Sequence, residues 1–360
     1  MGISEKIAEI EAEMEKTQKH KGTEHHLGML KAKLAKLREQ AESGSGRKGP
    51  SKGFDVKKSG NATIVFIGLP SVGKSTMLNA LTGAGSKTAA YAFTTLTVVP
   101  GILHYKGAQL QLLDLPGIIR GASKGVGRGK EVLAVARNSD LILLVVDVKD
   151  PGYVNKLIDE LGEIGIRVDQ KPPNIVIERT ESGGIEVNYS VKPTHLNDKL
   201  VASVLGEYGI FSAIVNIRED ATVERLIDAL LGNRRFIPSL RVLNKIDLAK
   251  KEDLKKLDKD FVKISAEKNI GIEELKQAIY DKLGLIRIFT RSKFEKADMD
   301  APLMMRRNAT VADLCDLVHR ELKKEFKFAE VWGKSAKHPG QKVGLHHKLQ
   351  DGDVVYIHKK

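Results

Sequence analysis

With 360 residues the chain is long enough for two or three domains, and its apolar fraction of 41% is typical of a protein that folds in water. No run approaches the roughly 18 apolar residues of a membrane span, and the single cysteine, Cys315, excludes an intrachain disulfide framework and is typical of the reducing cytoplasm. The formal net charge of +13 favours a polyanionic partner, with a solvated basic surface as the alternative.

The first predicted elements are two helices. Apolar residues recur at helical spacing over 3–14 and again over 27–37, and Thr23 stands where it can cap the second helix. The sequence therefore predicts an antiparallel helical hairpin over residues 1–42, which is too short to be stable alone and should pack on another part of the chain. The basic Gly- and Ser-rich stretch 43–60 is typical of a flexible linker.

A phosphate-binding loop follows the linker. Residues 68–75 read Gly-Leu-Pro-Ser-Val-Gly-Lys-Ser, between an apolar strand-like run and a helical stretch. The glycines let backbone N–H groups point at phosphate oxygens, Lys74 can reach the β- and γ-phosphates, and the Ser75 hydroxyl can bind Mg²⁺. The residues assigned to nucleotide contacts here are Gly68, Pro70, Ser71, Val72, Gly73, Lys74, Ser75 and Thr76.

Two later segments complete the predicted phosphate and magnesium site. An Asp-Leu-Pro-Gly motif follows the next strand-like run, so that Asp114 can hold Mg²⁺ and the Gly117 N–H can meet the γ-phosphate. Between this motif and the loop, either Thr94 or Thr95 should contact Mg²⁺ and the γ-phosphate when GTP is bound; we prefer Thr95, and the sequence leaves both open. The predicted metal ligands are Ser75, Thr95 and Asp114, and the predicted catalytic residues are Lys74, Thr95 and Gly117.

An Asn-Lys-Ile-Asp motif at the end of a further strand-like run selects the base. The Asp247 carboxylate can accept from both N1 and N2 of guanine, a donor pair that adenine lacks. Asn244 can hydrogen-bond guanine N7 and brace the loop, and the Lys245 stem can cover the ring. After the next strand come Ser265 and Ala266, where the Ala266 N–H would meet guanine O6. The predicted ligand is GTP or GDP with Mg²⁺, and ATP is disfavoured.

Apolar runs and helical segments alternate through this region. The strand-like runs are 64–67, 110–113, 141–146, 240–243 and 261–264. Short, mostly apolar runs are typical of buried parallel strands, and the pattern predicts a doubly wound α/β sheet over 61–166 and 236–285.

A long interval interrupts that alternation. About ninety residues separate Asp147 from the strand-like run at 240, far more than one crossover requires. The runs 174–179 and 185–189 flank a Gly-Gly pair and predict a β-hairpin, and helical patterns follow at 197–205 and 222–231. We therefore predict an inserted α+β domain over 167–235.

The carboxyl-terminal segment, 286–360, is basic and predicts a separate α+β domain. Strand-like pieces at 286–289 and 354–357 flank a helix from about 311 to 325, in which Cys315 should pack in the core. Phe328 and Trp332 could stack on nucleic-acid bases, with core packing as the alternative for Trp332. The pair His346-His347 lacks further metal ligands nearby and is interpreted as a surface or turn pair.

Together these residues resemble the developmentally regulated GTP-binding protein family, within the Obg-like GTPases, over nearly the whole chain. The likeness is carried by 26–34, 68–75, Phe93-Thr94-Thr95-Leu96, Asp114-Leu115-Pro116-Gly117-Ile118-Ile119, Pro172-Pro173-Asn174-Ile175, Gly232-Asn233-Arg234, 331–335 and 351–355. The resemblance implies a P-loop GTPase with a ribosomal-protein-like insertion, a β-grasp-like TGS domain at the carboxyl end, and a role in translation that brings it to ribosomes or RNA.

One departure from the common GTPase pattern concerns hydrolysis. Many GTPases carry a glutamine directly after Asp-x-x-Gly to orient the attacking water, whereas this chain has Ile118 and then Ile119. Slow intrinsic hydrolysis is therefore expected, with water positioned by another group, a partner or a monovalent cation. Related GTPases that recruit K⁺ often carry Asn where this chain has Ser71, so K⁺ stimulation is a hypothesis only. An internal arginine finger is a further hypothesis, weighed against solvated or RNA-facing arginines, for Arg120, Arg128 and Arg137.

Two functional classes stay open at this point. In the first, the chain is a GTP-hydrolysing switch whose nucleotide state controls binding to the ribosome or ribosomal RNA. In the second, it is a binding module that uses GTP mainly as a structural ligand. We expect a cytoplasmic monomer that does not bind membranes, with a protein partner that stimulates hydrolysis or stabilises the chain.

Overall fold

The computed structural model describes residues 2–18, 20, 22–43, 59–83, 99–115, 135–250, 260–291, 299, 301–319 and 321–359. The chain divides into two compact units. The first comprises Met1–Phe54, Gly121–Lys130 and Leu161–Phe236, and the second comprises Asp55–Arg120, Glu131–Glu160 and Ile237–Lys360. Within the described ranges, no helix is long and apolar enough to cross a membrane.

The elements are numbered in chain order. The helices are α1 (Ile3–Lys16), α2 (Glu24–Ser43), α3 (Lys74–Thr82), α4 (Tyr153–Glu163), α5 (Asp198–Glu207), α6 (Val223–Leu231), α7 (Ile272–Leu283) and α8 (Val311–Val318). The strands are β1 (Ala62–Ile67), β2 (Val99–Tyr105), β3 (Ala108–Asp114), β4 (Leu141–Asp147), β5 (Ile166–Val168), β6 (Ile175–Arg179), β7 (Ile185–Tyr189), β8 (Ala213–Ile217), β9 (Arg235–Ile237), β10 (Ser239–Asn244), β11 (Phe261–Lys263), β12 (Leu285–Thr290), β13 (Leu303–Arg306), β14 (Phe326–Trp332), β15 (Gln341–Val343) and β16 (Asp353–Lys359).

The second unit contains the predicted doubly wound sheet, in the order β11-β10-β4-β1-β3-β2. Its neighbours pair in parallel except for β2, which runs antiparallel to β3 as an edge strand that the sequence patterns did not reveal. Every residue of β1 is buried, because helices cover the sheet. Ile64 and Phe66 of β1 share one core with Leu78 of α3 and with Leu275 and Ile279 of α7.

The sheet order determines where a ligand can bind. From β1 the chain crosses to β3 on one side, while β4 lies on the other side of β1. The loop after β1 therefore leaves the sheet at its topological switch point, where α/β sheets bind ligands outside the carboxyl ends of their strands.

In the first unit, the inserted sheet corrects the predicted β-hairpin. Its order is β6-β8-β7, so β6 and β7 do not pair with each other. Instead, β8 lies between them, antiparallel to β6 and parallel to β7. The reason is that β8 alternates buried and half-buried residues and buries Ala213, Val215 and Ile217 against the helices, so it takes the central position. The Gly183-Gly184 pair consequently lies in a connection that runs from β6 to β7 across the end of β8 and is not a hairpin turn.

The helical hairpin is present, and its second helix packs within this unit as expected. Ala32 of α2 is fully buried in one core with Leu200 of α5 and Val223 of α6. A Cβ atom at Gly28 would lie 2.9 Å from Leu200 Cδ1, so α2 and α5 approach closely there and a larger residue would displace the Leu200 side chain. The Thr23 hydroxyl is engaged in the connection before the helix: it accepts from the His20 N–H at 3.1 Å and donates to the Gln18 carbonyl at 2.6 Å.

The carboxyl-terminal sheet of the second unit has the order β13-β12-β16-β14-β15, and α8 packs on it through Leu314 and Cys315. Cys315 is fully buried, as predicted. The helix ends at Val318, seven residues before the predicted end, because the chain turns at His319 and brings Leu322 into the core. Of the predicted surface or turn pair, His346 is exposed, and His347 is half-buried and shares a hydrogen bond of 2.9 Å between its Nε2 and Ser335 Oγ.

Candidate guanine-nucleotide site

Strand register brings the predicted motifs to one edge of the central sheet. Phe66 pairs with Asp114 across β1 and β3, and Asn244 pairs with Asp147 across β10 and β4. These pairs stand at the carboxyl ends of parallel strands, and the phosphate-binding loop starts one residue after β1. The loop, the Asp motif and the Asn-Lys-Ile-Asp motif are thereby brought to the same edge.

The phosphate-binding loop curls directly over the strand ends. Ser71 and Gly73 have φ angles of 64° and 91°, and α3 begins at Lys74. A Cβ atom at Gly73 would lie 2.3 Å from Asn244 Nδ2, and one at Gly68 would lie 2.3 Å from the carbonyl oxygen of Val145. Both positions therefore require glycine, which is what a loop with inward-facing N–H groups needs.

Lys74 is buried at 7% exposure inside this loop. Its Nζ donates to the carbonyl oxygens of Gly68 at 3.0 Å and Leu69 at 2.9 Å. Burial lowers the pKa of the Lys74 ammonium, and the nearby Asp114 carboxylate offsets part of that effect. A buried cation held mainly by neutral carbonyls is ready to bind an anion such as a phosphate group.

Asp114 and Ser75 form the candidate metal site. The Ser75 hydroxyl donates to Asp114 Oδ2, and the other carboxylate oxygen, Oδ1, is buried without a hydrogen-bond partner among the described residues. An orphaned, buried carboxylate oxygen beside a hydroxyl is a donor set that suits Mg²⁺, which binds proteins through one or two such oxygens.

Asn244 joins three parts of the site. Its Nδ2 donates to the Val72 carbonyl at 2.8 Å, and its Oδ1 accepts from the backbone N–H groups of Lys245 at 2.8 Å and Ala266 at 3.1 Å. The predicted bracing role is therefore present. The Ala266 N–H, predicted to meet guanine O6, here donates to this side chain.

Lys245 makes a second link to the phosphate-binding loop. It has a φ of 63°, and its Nζ donates to the Ser71 carbonyl at 2.7 Å and lies 2.9 Å from Asp147 Oδ2. Partial burial raises the pKa of Asp147, but hydrogen bonds from Lys245 and the Lys149 N–H lower it further, so the net shift is downward. Sequence reasoning missed Asp147 as a site residue, although a carboxylate at the carboxyl end of β4 was a usable signal.

The remaining predicted contacts differ in exposure. Asp247 is exposed in a short 3₁₀ turn, Ile246–Leu248, and its carboxylate faces solvent, whereas Ser265 is fully buried and accepts from the Lys268 N–H at 3.2 Å. Pro70 and Thr76 are also exposed.

Several predicted residues cannot be placed. Thr94, Thr95 and Gly117 lie outside the described residues, and so do Ile118 and Ile119 of the hydrolysis position. Of the three candidate finger arginines, Arg137 is described, half-buried in a helical turn at 135–137.

Models of known families match most of the chain. Residues 63–179 match the family described as 50S ribosome-binding GTPase, and residues 182–285 match the carboxyl-terminal region of the same domain. Residues 286–359 match the TGS domain.

Two curated proteins illustrate the similarity. An uncharacterized GTP-binding protein of Methanocaldococcus jannaschii is 55% identical over 99% of this chain and 93% of its own length. Developmentally-regulated GTP-binding protein 1 of Xenopus laevis is 49% identical over the full length of both chains. Among solved structures, the YchF GTPase of Schizosaccharomyces pombe is 16% identical, with a TM-score of 0.43, over 84% of this chain and 99% of that one. At that score the likeness adds nothing to the assignment.

Proposed function

The chain belongs to the family of developmentally regulated GTP-binding proteins, and from this premise we propose that it is a GTP-hydrolysing switch whose nucleotide state controls its binding to ribosomes. One observation carries the proposal: the buried Lys74, the Ser75–Asp114 pair and the Asn244 brace converge on one edge of the central sheet. The description of the matched family as a ribosome-binding GTPase supports the proposed binding to ribosomes.

We assign the phosphates to the loop around Lys74 and the metal to Ser75 and Asp114, with Thr95 as the proposed third ligand. When bound there, Mg²⁺ would neutralise negative charge on the β- and γ-phosphates. The chain's own part is to hold its donors in place: α3 starts at the loop, so its first N–H groups and its dipole favour the same anion.

For the base, we propose that Asp247 selects guanine. Its exposed carboxylate can accept from N1 and N2, while Asn244 is already engaged in holding the loop. The substitution Asp247→Asn should weaken GTP binding and improve binding of xanthosine triphosphate, because an amide can donate to the oxygen that xanthine carries at C2. Fluorescence competition with both nucleotides checks this; an unchanged preference for GTP would contradict the assignment.

We propose that intrinsic GTP hydrolysis is slow unless another group positions the attacking water. Neither Ile118 nor Ile119 can hydrogen-bond a water molecule, so a ribosome, a protein partner, K⁺ or an arginine must supply that function. Turnover compared in KCl and NaCl tests the cation, and equal rates would remove it. Alanine substitutions of Arg120, Arg128 and Arg137 test the arginines in the same assay.

The alternative function is a ribosome- or RNA-binding module with GTP as a structural ligand. Multiple-turnover assays with and without ribosomes separate the two, since a switch should be stimulated and a structural ligand should not turn over. Co-sedimentation with ribosomes in GDP, GTP and a non-hydrolysable analogue is the second test. Equal pelleting in all three states would contradict the switch.

A further inference from the structure

A carboxylate outside the predicted motifs holds the lysine of the Asn-Lys-Ile-Asp motif. Asp147 is the last residue of β4 and pairs in register with Asn244, the last residue of β10, so Lys245 follows at the same edge of the sheet. Lys245 Nζ lies 2.9 Å from Asp147 Oδ2 and donates to the Ser71 carbonyl oxygen at 2.7 Å. The lysine side chain therefore links the end of β4 to the phosphate-binding loop.

The chain around Asp147 fixes the orientation of its carboxylate. Asp147 Oδ1 accepts from the Lys149 N–H at 2.9 Å, which leaves Oδ2 directed at Lys245. The Val148 N–H donates to the Asn244 carbonyl at 3.2 Å and joins the two loops that follow β4 and β10. Each carboxylate oxygen consequently has its own donor, and rotation of the carboxylate would break one of the two bonds.

The two lysines of the nucleotide site differ in their partners. Lys74 donates only to neutral carbonyl groups, so its charge is left for the phosphates. The Lys245 ammonium already has a carboxylate partner, so its charge is compensated before any nucleotide binds. Because a compensated ammonium gains less from a phosphate than a bare one, Asp147 keeps Lys245 on the base side of the site.

The ion pair between Asp147 and Lys245 contributes little to the stability of the fold. The two side chains keep 20% and 33% of their surface exposed, and ion pairs in contact with water add little to the free energy of unfolding. The pair also joins loops at the edge of the sheet and no core residues. Its geometry therefore suits the positioning of a side chain in the site.

We propose that Asp147 is a positioning residue for guanine-nucleotide binding, because it holds the Lys245 ammonium so that the lysine stem forms a fixed wall for the face of the base. The inference rests on the proposed guanine-nucleotide site, in which the Lys245 stem covers the ring, and it names the residue that makes this wall rigid. Nζ is held by Asp147 and Ser71 at one end, and the backbone is held at the end of β10, so the methylene groups between them have few conformations left. A wall that is ordered before binding loses little further entropy when the base lies against it.

One substitution and a ligand that lacks a base test this role. An asparagine at this position has one acceptor oxygen for the two donors that the carboxylate serves, so Asp147→Asn leaves Lys245 less firmly held. GTP affinity should then fall roughly tenfold. Ribose 5-triphosphate keeps the sugar and phosphates of GTP, so its affinity should not fall. Competition against a fluorescent GDP measures both ligands, and an unchanged GTP affinity or an equal loss for both would overturn the proposal.

A double-mutant cycle tests whether Asp147 acts through Lys245. Lys245→Met keeps an apolar stem and removes the ammonium, so it should also lower GTP affinity. In that background Asp147→Asn should have little further effect, because no ammonium remains to be positioned. Losses that multiply would show that the two residues act independently, and they would overturn the proposal.

The matched control is Asp150→Asn, which removes an exposed carboxylate from the same loop and should leave GTP affinity unchanged. The unfolding temperature of Asp147→Asn should stay close to that of the wild type, because its ion pair is partly exposed. An equal loss of GTP affinity in the control would mean that any lost carboxylate in this loop weakens binding. A marked fall in the unfolding temperature of Asp147→Asn would make the residue structural. Either result would overturn the role given to Asp147.

The wild-type protein separates this inference from the proposed function. If the wild type binds GTP no more tightly than ribose 5-triphosphate, the proposed guanine-nucleotide site fails by itself. If the wild type prefers GTP and Asp147→Asn retains that preference in full, only the role of Asp147 fails and the site stands.

Discussion

Two buried charges, one in each unit, are treated in opposite ways by the fold. In the nucleotide site, the Lys74 ammonium is held by two neutral carbonyls. In the inserted domain, the Asp228 carboxylate, 4% exposed, is neutralised completely. Arg167 donates to both of its oxygens at 2.7 Å, and Arg234 adds a third bond at 3.1 Å.

The difference separates a binding site from an architectural element. A buried charge that is fully paired has no remaining demand for a ligand and serves to hold its neighbours in position. A buried charge with only neutral partners has a desolvation cost that the protein does not fully compensate, and a bound anion lowers that cost. Under the proposed function Lys74 serves nucleotide binding, whereas the Asp228 pairs hold parts of the inserted domain together.

The largest effect should follow when the paired charge is removed. Asp228→Asn removes the buried negative charge that accepts three hydrogen bonds from Arg167 and Arg234, so the free energy of unfolding should fall by about 4 kcal/mol. Urea denaturation followed by circular dichroism measures this. The matched control is Asp220→Asn, an exposed carboxylate bonded to Thr194, which should change stability little. Equal stability of the two variants would show that the Asp228 cluster is not a structural lock.

At Lys74 the effect should appear in binding and not in folding. Lys74→Met removes the cation that the phosphates need, which should cost about 3 kcal/mol and lower GTP affinity more than 100-fold. Stability without nucleotide should stay level or rise, because a desolvated charge has been removed. Calorimetry and thermal unfolding measure both quantities, with Lys282→Met on the exposed side of α7 as the control. A large loss of stability would contradict the contrast with Asp228.

Lys74 and Asp228 also show which features of the structure could be predicted from the sequence. The placement of Lys74 in a curled loop at the end of β1 could be predicted because it is set by a local motif, whose glycines impose the backbone that the motif needs. The Asp228 cluster could not, because its arginines lie 61 and 6 residues away and only the folded domain brings them together. The wrong β-hairpin has the same cause: local turn signals linked β6 to β7, while the long-range burial of β8 decided the order.

A third prediction concerns Asn244, which lies between Lys74 and Asp228 because its side chain is buried and neutral and makes three of its four possible hydrogen bonds. Asn244→Ala removes its three hydrogen bonds and leaves the Val72 carbonyl and Ala266 N–H unpaired, so GTP affinity should fall by about 2 kcal/mol, roughly 30-fold. Competition binding measures this, and Asn79→Ala on the exposed side of α3 serves as the control. An unchanged affinity would mean that the brace is not needed.

The smallest expected effect is the uptake of a proton when nucleotide binds, and it tests the buried charge of Lys74 most directly. Because burial lowers the pKa of Lys74, a fraction of free protein carries the neutral amine at alkaline pH, and a bound phosphate should raise that pKa again. Nucleotide binding should then take up as much as one proton at pH values well above about 6, where the phosphate itself titrates. The affinity for nucleotide should fall as the pH rises through this range. Calorimetry in buffers of different ionisation enthalpy counts the protons. Asp228→Asn should leave the count unchanged, because its charge lies outside the nucleotide site, whereas Lys74→Met should abolish the uptake. The same count in wild type and Lys74→Met would mean that Lys74 holds its proton regardless of the ligand, and that its burial serves the fold as Asp228 does.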